Sequence, residues 1–579
     1  MAHKSHRKII GARFYSKGYE AEHGRLESLG GIFFRSARDS EGHGSHIAST
    51  SAGSAVANAS LFGLAAGTAR GGAPAARLAI YKACWFRFCN DADVLSAFDD
   101  AIHDGVDLIS ISAGPLPPQP SFFSDSFSIG SFHAFRNGIL TSASTGNAGL
   151  PATATNVAPW MLTVAASSLD RRFDSSVTLG NSKVLKGQSI NPLKMDSFNS
   201  LIPASIAAAP GIPSKNASFC ANGTLVPALI EGKIVVCTIE TIRVVVKEAG
   251  GVGMILIDPV ASDVGFEFVI PATLVGAEDA GELQAYLATE KNPTAIISSS
   301  QTVFHTRPAP DMAVFSSQGP NLETPDIIKP DITAPELNIL AAWSPLGIDR
   351  SGGRSVDYNI ASGTSQASPH VTGMAAIIKS CNMLWSPAAI KSALMTTATV
   401  MDNTGNTIAR QPNASPTTPF DYGSGHINSL AALDPGLVYD HNADDIINFL
   451  CSNGASIPQL LNLTGERIVC NNVTVPPYNL NYPSIGISSM NGSLSVYRTV
   501  TNYGSGHSTY LPKIENPVGM KLGVSPRKLE FNKRGQKLTY RLDFVPYKHS
   551  NGSFVFGSIA WTDGRHVVRS PIAVNVVSV

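Results

Sequence analysis

A serine becomes a nucleophile where a base takes its proton and nearby donors meet the negative charge that develops. Ser365 stands in a stretch suited to the second need. It follows Gly363 and Thr364, and Val371, Met374, Ala375 and Ile378 then recur at i, i+3, i+4 and i+7, the spacing of a helix with one apolar face. The hydroxyl is therefore predicted at a helix N-terminus, where unpaired N–H groups and the positive dipole end favour negative charge. Pro369 falls in or near the first turn, where a missing N–H costs little. Two roles stay open on this local geometry: a nucleophile, or an N-cap for the helix.

The elements that must position such a serine alternate in type. Residues 78–82, 106–112, 138–144 and 160–165 read as short strands, while Val94, Phe98, Ala101 and Ile102 form a helical apolar face closed by Gly105. Strands separated by helix-length segments imply right-handed βαβ units and a parallel sheet. Ligands then sit at the C-terminal ends of the strands. Asn147 lies just past one such end and Ser112-Ala113-Gly114 at another, followed by a Pro-rich loop at 115–120. Asn147 has two readings, an oxyanion donor or a structural loop asparagine. Ser386 as N-cap and Pro387 at N1 mark a further helix.

With 579 residues the chain is long enough for several domains. Charged residues are 15%, against a typical quarter, and Lys+Arg balances Asp+Glu at 43 each. This balance supports neither a nucleic-acid partner nor an electrostatic membrane contact, and no apolar run is long enough to span a bilayer. Of seven cysteines, Cys84/Cys89, Cys220/Cys237 and Cys451/Cys470 are close pairs open to disulfide formation, with Cys381 left over. Eight Asn-x-Ser/Thr sequons, at Asn58, Asn216, Asn222, Asn413, Asn462, Asn472, Asn491 and Asn551, suit a secreted glycoprotein. The first ten residues have basic character but no apolar core of a signal peptide.

The nonapeptide Gly363-Thr-Ser-Gln-Ala-Ser-Pro-His-Val371 resembles the nucleophile segment of subtilisin-like serine proteases, which usually has Met at the place of Gln366. Ser40-Glu-Gly-His-Gly-Ser-His46 resembles the family's His-Gly-Thr-His element, and Ala143-Ser-Thr-Gly-Asn-Ala-Gly149 its oxyanion segment. The resemblance implies His43 as general base, Ser365 as nucleophile and Asn147 as side-chain oxyanion donor. It also implies Ser112, Ala113 and Gly114 as a substrate-pairing segment, usually Ser-Leu-Gly, on which an extended peptide would add as a strand. The family's Asp-Thr/Ser-Gly turn does not occur in residues 1–42, so no triad Asp is found. Asp39, four residues before His43, is not expected to orient the imidazole, and His46, His370 and Asp331 are expected to be structural.

Lys8-Ile-Ile-Gly-Ala-Arg13 is similar to a run that lies after the Asp segment in plant members, implying that this chain starts late. Residues 315–321 and 329–343 are similar to further plant segments, with Gln318 and Glu336 where Arg and Gly are usual. Glu336 would be strained if that turn needed positive φ. The expected fold is α/β: a subtilisin-like parallel-sheet catalytic domain (1–174 and 306–450), an insertion at 175–305 resembling a protease-associated domain, a linker at 451–479, and a fibronectin-III-like β-sandwich at 480–579. In the insertion, 232–237, 253–257 and 270–275 read as strands and 240–249 as a helix; in the last part, 494–500, 539–544 and 557–561 read as strands.

The function implied is a serine endopeptidase acting on protein or peptide substrates, impaired by the missing Asp; the alternative is a non-catalytic, peptide-binding relative. An extracellular location follows from the resemblance and the sequons, and a homodimer stays open. No cofactor or metal is expected. His43/His46 lacks a third ligand and a His-Glu-x-x-His pattern, and no carboxylate set has calcium-loop spacing. Gly250-Gly-Val-Gly253 lacks the full dinucleotide-loop spacing, and no Gly-x-Ser-x-Gly elbow is present.

Overall fold

The computed structural model describes residues 8–29, 33–86, 88–238, 244–260, 264–347, 355–470, 475–504 and 506–579. Its centre is a four-stranded sheet in which β3 (Leu108–Ile111), β4 (Leu140–Ser144), β5 (Leu162–Ser167) and β6 (Ile332–Pro335) lie side by side, all parallel. The predicted strands at 106–112, 138–144 and 160–165 are thus found within two residues of their expected starts. Every residue of β4 and β5 is buried, because helices cover the sheet. The helix α4 (Thr364–Cys381) lays Val371, Met374, Ala375 and Ile378 on it, the four positions read from the spacing. The helix α5 (Pro387–Thr396) starts at the expected cap, with Ser386 Oγ accepting from Ala389 N at 3.0 Å.

The strand at 78–82 did not join this sheet. It is β2 (Leu78–Lys82), paired in parallel only with β1 (Ile9–Phe14) in a separate two-stranded sheet. Helix α2 (Asp91–His103) bridges the gap: Ala83, just past β2, and Ile109 and Ile111 of β3 pack against the cluster formed by Val94 and Phe98. Among the described residues β2 pairs with no strand other than β1, and β3, paired with β4 alone, is an edge strand of the central sheet. All six residues of β1 are exposed and all five of β2 are half-buried.

Residues 171–304 form a mixed eight-stranded sheet. Its parallel neighbours Ile234–Thr238, Gly253–Ile257 and Ala272–Val275 correspond to the three strands expected there. A helix is seen at Val245–Glu248; residues 240–243 of the expected helix lie outside the described residues. The C-terminal part is a sandwich of four- and five-stranded sheets around Val496, Tyr540, Leu542, Phe544 and Trp561. Leu437–Tyr439 joins it by pairing with Leu494–Asn502. The stretch read as a linker carries the helix Ile457–Thr464, whose Leu460 and Leu463 are buried in the central core. Disulfides join Cys84–Cys89, Cys220–Cys237 and Cys451–Cys470; Cys381 is free and exposed.

At the base of the central sheet lies a buried charge cluster. Asp331 accepts from Lys329 Nζ at 2.6 Å, from Thr163 N at 2.7 Å and from the hydroxyl of Tyr482, and Lys391 Nζ lies 3.5 Å away. This carboxylate is fully committed to holding β5, β6, α5 and the sandwich entry together, the structural role expected for it.

Candidate active site

Helix α4 begins at Gly363, whose φ of +144° favours glycine, and Ser365 is its second residue. Ser365 is therefore not the N-cap, and its side chain makes no cap bond. Capping is done from across the molecule: Asn147 Oδ1 accepts from Thr364 N at 2.7 Å, and Thr364 Oγ1 accepts from Gly146 N at 3.1 Å. With Asn147 Oδ1 turned to the helix, its Nδ2 remains a donor beside Gly363, where an added Cβ would lie 3.4 Å from it. Asn147 sits just past β4, at a C-terminal strand end.

Ser365 also meets Ser112, at the end of β3. Its Oγ donates to Ser112 O at 3.4 Å, and Ser112 Oγ donates to Ser365 O at 2.7 Å. Ala113 O accepts from Asn156 Nδ2 at 3.0 Å, and that amide also donates to Ser144 O at 2.8 Å. A Cβ on Gly114 would lie 2.5 Å from Asn156 Nδ2, so the position needs glycine. Asn156 thus ties the ends of β3 and β4 together. No motif marked it, because its partners are 12 and 43 residues away along the chain.

His43 opens helix α1 (His43–Ala52), which packs along α4 so closely that a Cβ on Gly373 would lie 2.7 Å from Ser51 O. His43 as a residue is exposed at the helix start, and among the described residues its imidazole has no hydrogen-bond partner, neither Ser365 nor a carboxylate. Loss of hydration from the surrounding protein lowers its pKa below the ordinary 6.5, against the pull of Glu41 and Asp39. It is then neutral near pH 7, the form in which it accepts a proton.

Asp39 does not orient this ring. Its Oδ1 accepts from Glu41 N and Gly42 N at 3.0 and 2.8 Å, and its Oδ2 from Ser45 N and Ser45 Oγ, both at 2.7 Å. Burial alone would raise its pKa; the backbone donors and Ser45 outweigh that and lower it, so Asp39 is an ionised cap for α1. His46 is buried, its Nε2 2.9 Å from Ile339 O, and burial pushes its pKa down to about 4. His370 Nδ1 lies 2.8 Å from Gln366 O. Both are structural, as expected. Glu336 is fully buried without positive φ; the left-handed residue in that turn is Asn338, at φ +57°. Gln318 donates to Asp421 Oδ1, which also takes Arg410 Nη1 at 2.9 Å. Among the described residues no group of three or more His, Cys, Asp or Glu side chains is placed to hold a metal.

A hydroxyl and a carboxamide are thus brought to one helix N-terminus at the C-terminal edge of a parallel sheet, an arrangement compatible with acyl transfer to serine. The sequence description of the Subtilase family matches residues 34–425, and that of a fibronectin type-III domain matches residues 479–574. A subtilisin-like serine-protease S of Lotus japonicus is 60% identical over 581 residues, covering 99% of this chain and 76% of that protein. Two Arabidopsis thaliana relatives, subtilisin-like proteases SBT5.3 and SBT1.7, are each 42% identical over 98% of this chain and cover 75% and 76% of those proteins. The chain belongs to the subtilase family of serine proteases, enzymes acting on protein or peptide substrates, with a subtilisin-like fold and a C-terminal fibronectin type-III domain.

Proposed function

We propose that the chain carries the acyl-transfer machinery of a serine endopeptidase, with Ser365 as nucleophile, His43 as base and Asn147 as oxyanion donor. His43 takes the Ser365 proton as the hydroxyl attacks the peptide carbonyl, then returns it to the leaving amine. Asn147 Nδ2 and the Ser365 backbone N–H hold the tetrahedral oxyanion at the positive end of α4. Extended substrate lies along the Ser112–Gly114 backbone. The observation that carries this reading is the meeting of Ser112, Asn147 and the start of α4 in direct hydrogen bonds across 217 to 253 residues of chain.

Among the described residues no carboxylate bonds the His43 ring, so turnover by the described residues alone is expected to be low. In subtilisin, loss of the corresponding carboxylate alone lowers turnover by roughly four orders of magnitude. The imidazole without a bonding partner among the described residues favours a second reading, a peptide-binding relative without turnover. A fluorophosphonate probe separates the two. Labelling of the folded chain that disappears in Ser365→Ala supports the protease; a folded chain that never labels supports the binder.

The insertion serves in this proposal as a protease-associated domain, supported by its parallel strands at the expected positions. An extracellular glycoprotein is supported by the seven described sequon asparagines, all exposed. One relative, 41% identical, is a secreted protease of Arabidopsis thaliana responding to CO(2), and among the described residues no helix is long and apolar enough to cross a membrane.

A further inference from the structure

A histidine sits where the segment entering the sandwich meets the sandwich's last hairpin. His566 lies in the turn between Val555–Thr562 and Val567–Ser578, with its side chain only 7% exposed. On one side Nδ1 is 2.8 Å from Asp563 Oδ2, and the His566 backbone N–H donates to Asp563 Oδ1 at 2.6 Å. On the other side Nε2 is 3.2 Å from Asp434 Oδ2, an ion-pair distance without hydrogen-bond alignment. The same Asp434 oxygen takes Arg565 Nη2 at 2.5 Å. Asp434 lies beyond the Subtilase-family match, just before Leu437–Tyr439 enters the sandwich.

The fit around the ring is close. Gly436 has φ +74°, and a Cβ on it would lie 2.8 Å from His566 Cγ and 2.5 Å from Tyr510 Oη. Tyr510 Oη is 3.5 Å from Nδ1. The charged and titratable groups facing the imidazole are therefore Asp563 and Arg565 from its own turn, Asp434 from the entering segment and Tyr510 from Ser508–Glu515. Both ring nitrogens face carboxylates. Only the imidazolium carries a proton on each; the neutral ring turns one lone pair toward a carboxylate, which repels it.

We propose that Asp434, His566 and Asp563 form a proton-dependent clasp, which fastens the last hairpin of the sandwich to the segment arriving from the catalytic domain. It is closed when the ring is charged and loosened when the ring is neutral. Burial acts against the charge, but pairing with Asp563 and Asp434 prevails and raises the His566 pKa above the ordinary 6.5. A pKa raised by folding stabilises fully below the unfolded value, and this contribution is lost as pH rises through the folded one. The clasp therefore holds in acid and loosens as pH rises through the raised His566 pKa.

Hydrogen exchange of the full chain at pH 5.5 and 8.5, corrected for intrinsic rates, tests this. In wild type, protection of amides 562–569 is expected to fall about tenfold over that range for each unit of pKa shift, and in His566→Gln to be flat. An equal fall in both proteins overturns the clasp. Where His566→Gln does not fold, Asp434→Asn takes its place, with the His566 ring followed by NMR titration. A midpoint above 6.5 in wild type that drops in Asp434→Asn supports the clasp; a midpoint at or below 6.5, or one unmoved by the substitution, overturns it.

Discussion

The four-stranded and two-stranded sheets are both parallel, yet their surroundings differ. Trp160, Leu162 and Val164, in and before β5, are fully buried, whereas Ile9 and Ile10 of β1 are 54% and 62% exposed. Three groups of the candidate site lie at the first of these sheets. Ser365, Ser112 and Asn147 are fixed by hydrogen bonds at the ends of the buried strands. His43 lies between β1 and β2 in the chain, at the start of α1, and among the described residues nothing bonds its ring. Covering a sheet on both faces fixes side chains at its ends to within hydrogen-bond tolerance. Ser365 and Asn147 are thus held in place by hydrogen bonds, and the His43 ring, among the described residues, is not.

Substitutions sharpen or break this contrast. The largest effect is expected at Asn147: Asn147→Ala removes both the Thr364 cap and the oxyanion donor, so the rate of probe labelling falls roughly 10²–10³-fold. An unchanged rate would leave the asparagine a structural loop residue. Leu162→Ala, in β5, is expected to cost about 2–5 kcal/mol in urea unfolding, while Ile10→Ala, in β1, stays within about 0.5 kcal/mol. Equal losses would erase the difference between the sheets. Asp39→Ala is expected to cost about 1 kcal/mol through the lost cap of α1, with the pH dependence of labelling unchanged. A large loss of labelling would instead make Asp39 the carboxylate that orients His43. The smallest effect is the pH profile itself. Labelling needs neutral His43, whose pKa is lowered, so the rate rises with pH to a midpoint below 6.5. The same lowering means that His43 contributes a loss of stability as pH falls through that range.

Much of the framework was legible along the chain. The apolar period of Val371, Met374, Ala375 and Ile378 gave the face of α4, and the short apolar runs gave β3, β4 and β5 close to their observed limits. These signals are local, since a helix or strand shows its buried face within a few residues. The separation of β2 from β3 was not legible, because the run at 78–82 reads the same whether or not a neighbour fills its free edge. The N-cap role left open for Ser365 went to Gly363, with Asn147 supplying the side-chain bond to Thr364 N from 217 residues away.

Residue types and spacing by themselves placed a serine at a helix start and an asparagine past a strand end, each with two roles open, and the resemblance of three segments to subtilisin-like proteases chose between them. Spacing also offered three cysteine pairs, which the structure bonds, and the alternation of strand and helix, because each shows among near neighbours in the chain. Tertiary structure alone decided which groups are held and which are loose. Asn156 gripping two strand ends, Asp39 spent on a cap, and His566 set between two carboxylates depend on approaches of a few ångströms between segments whose meeting no local pattern encodes.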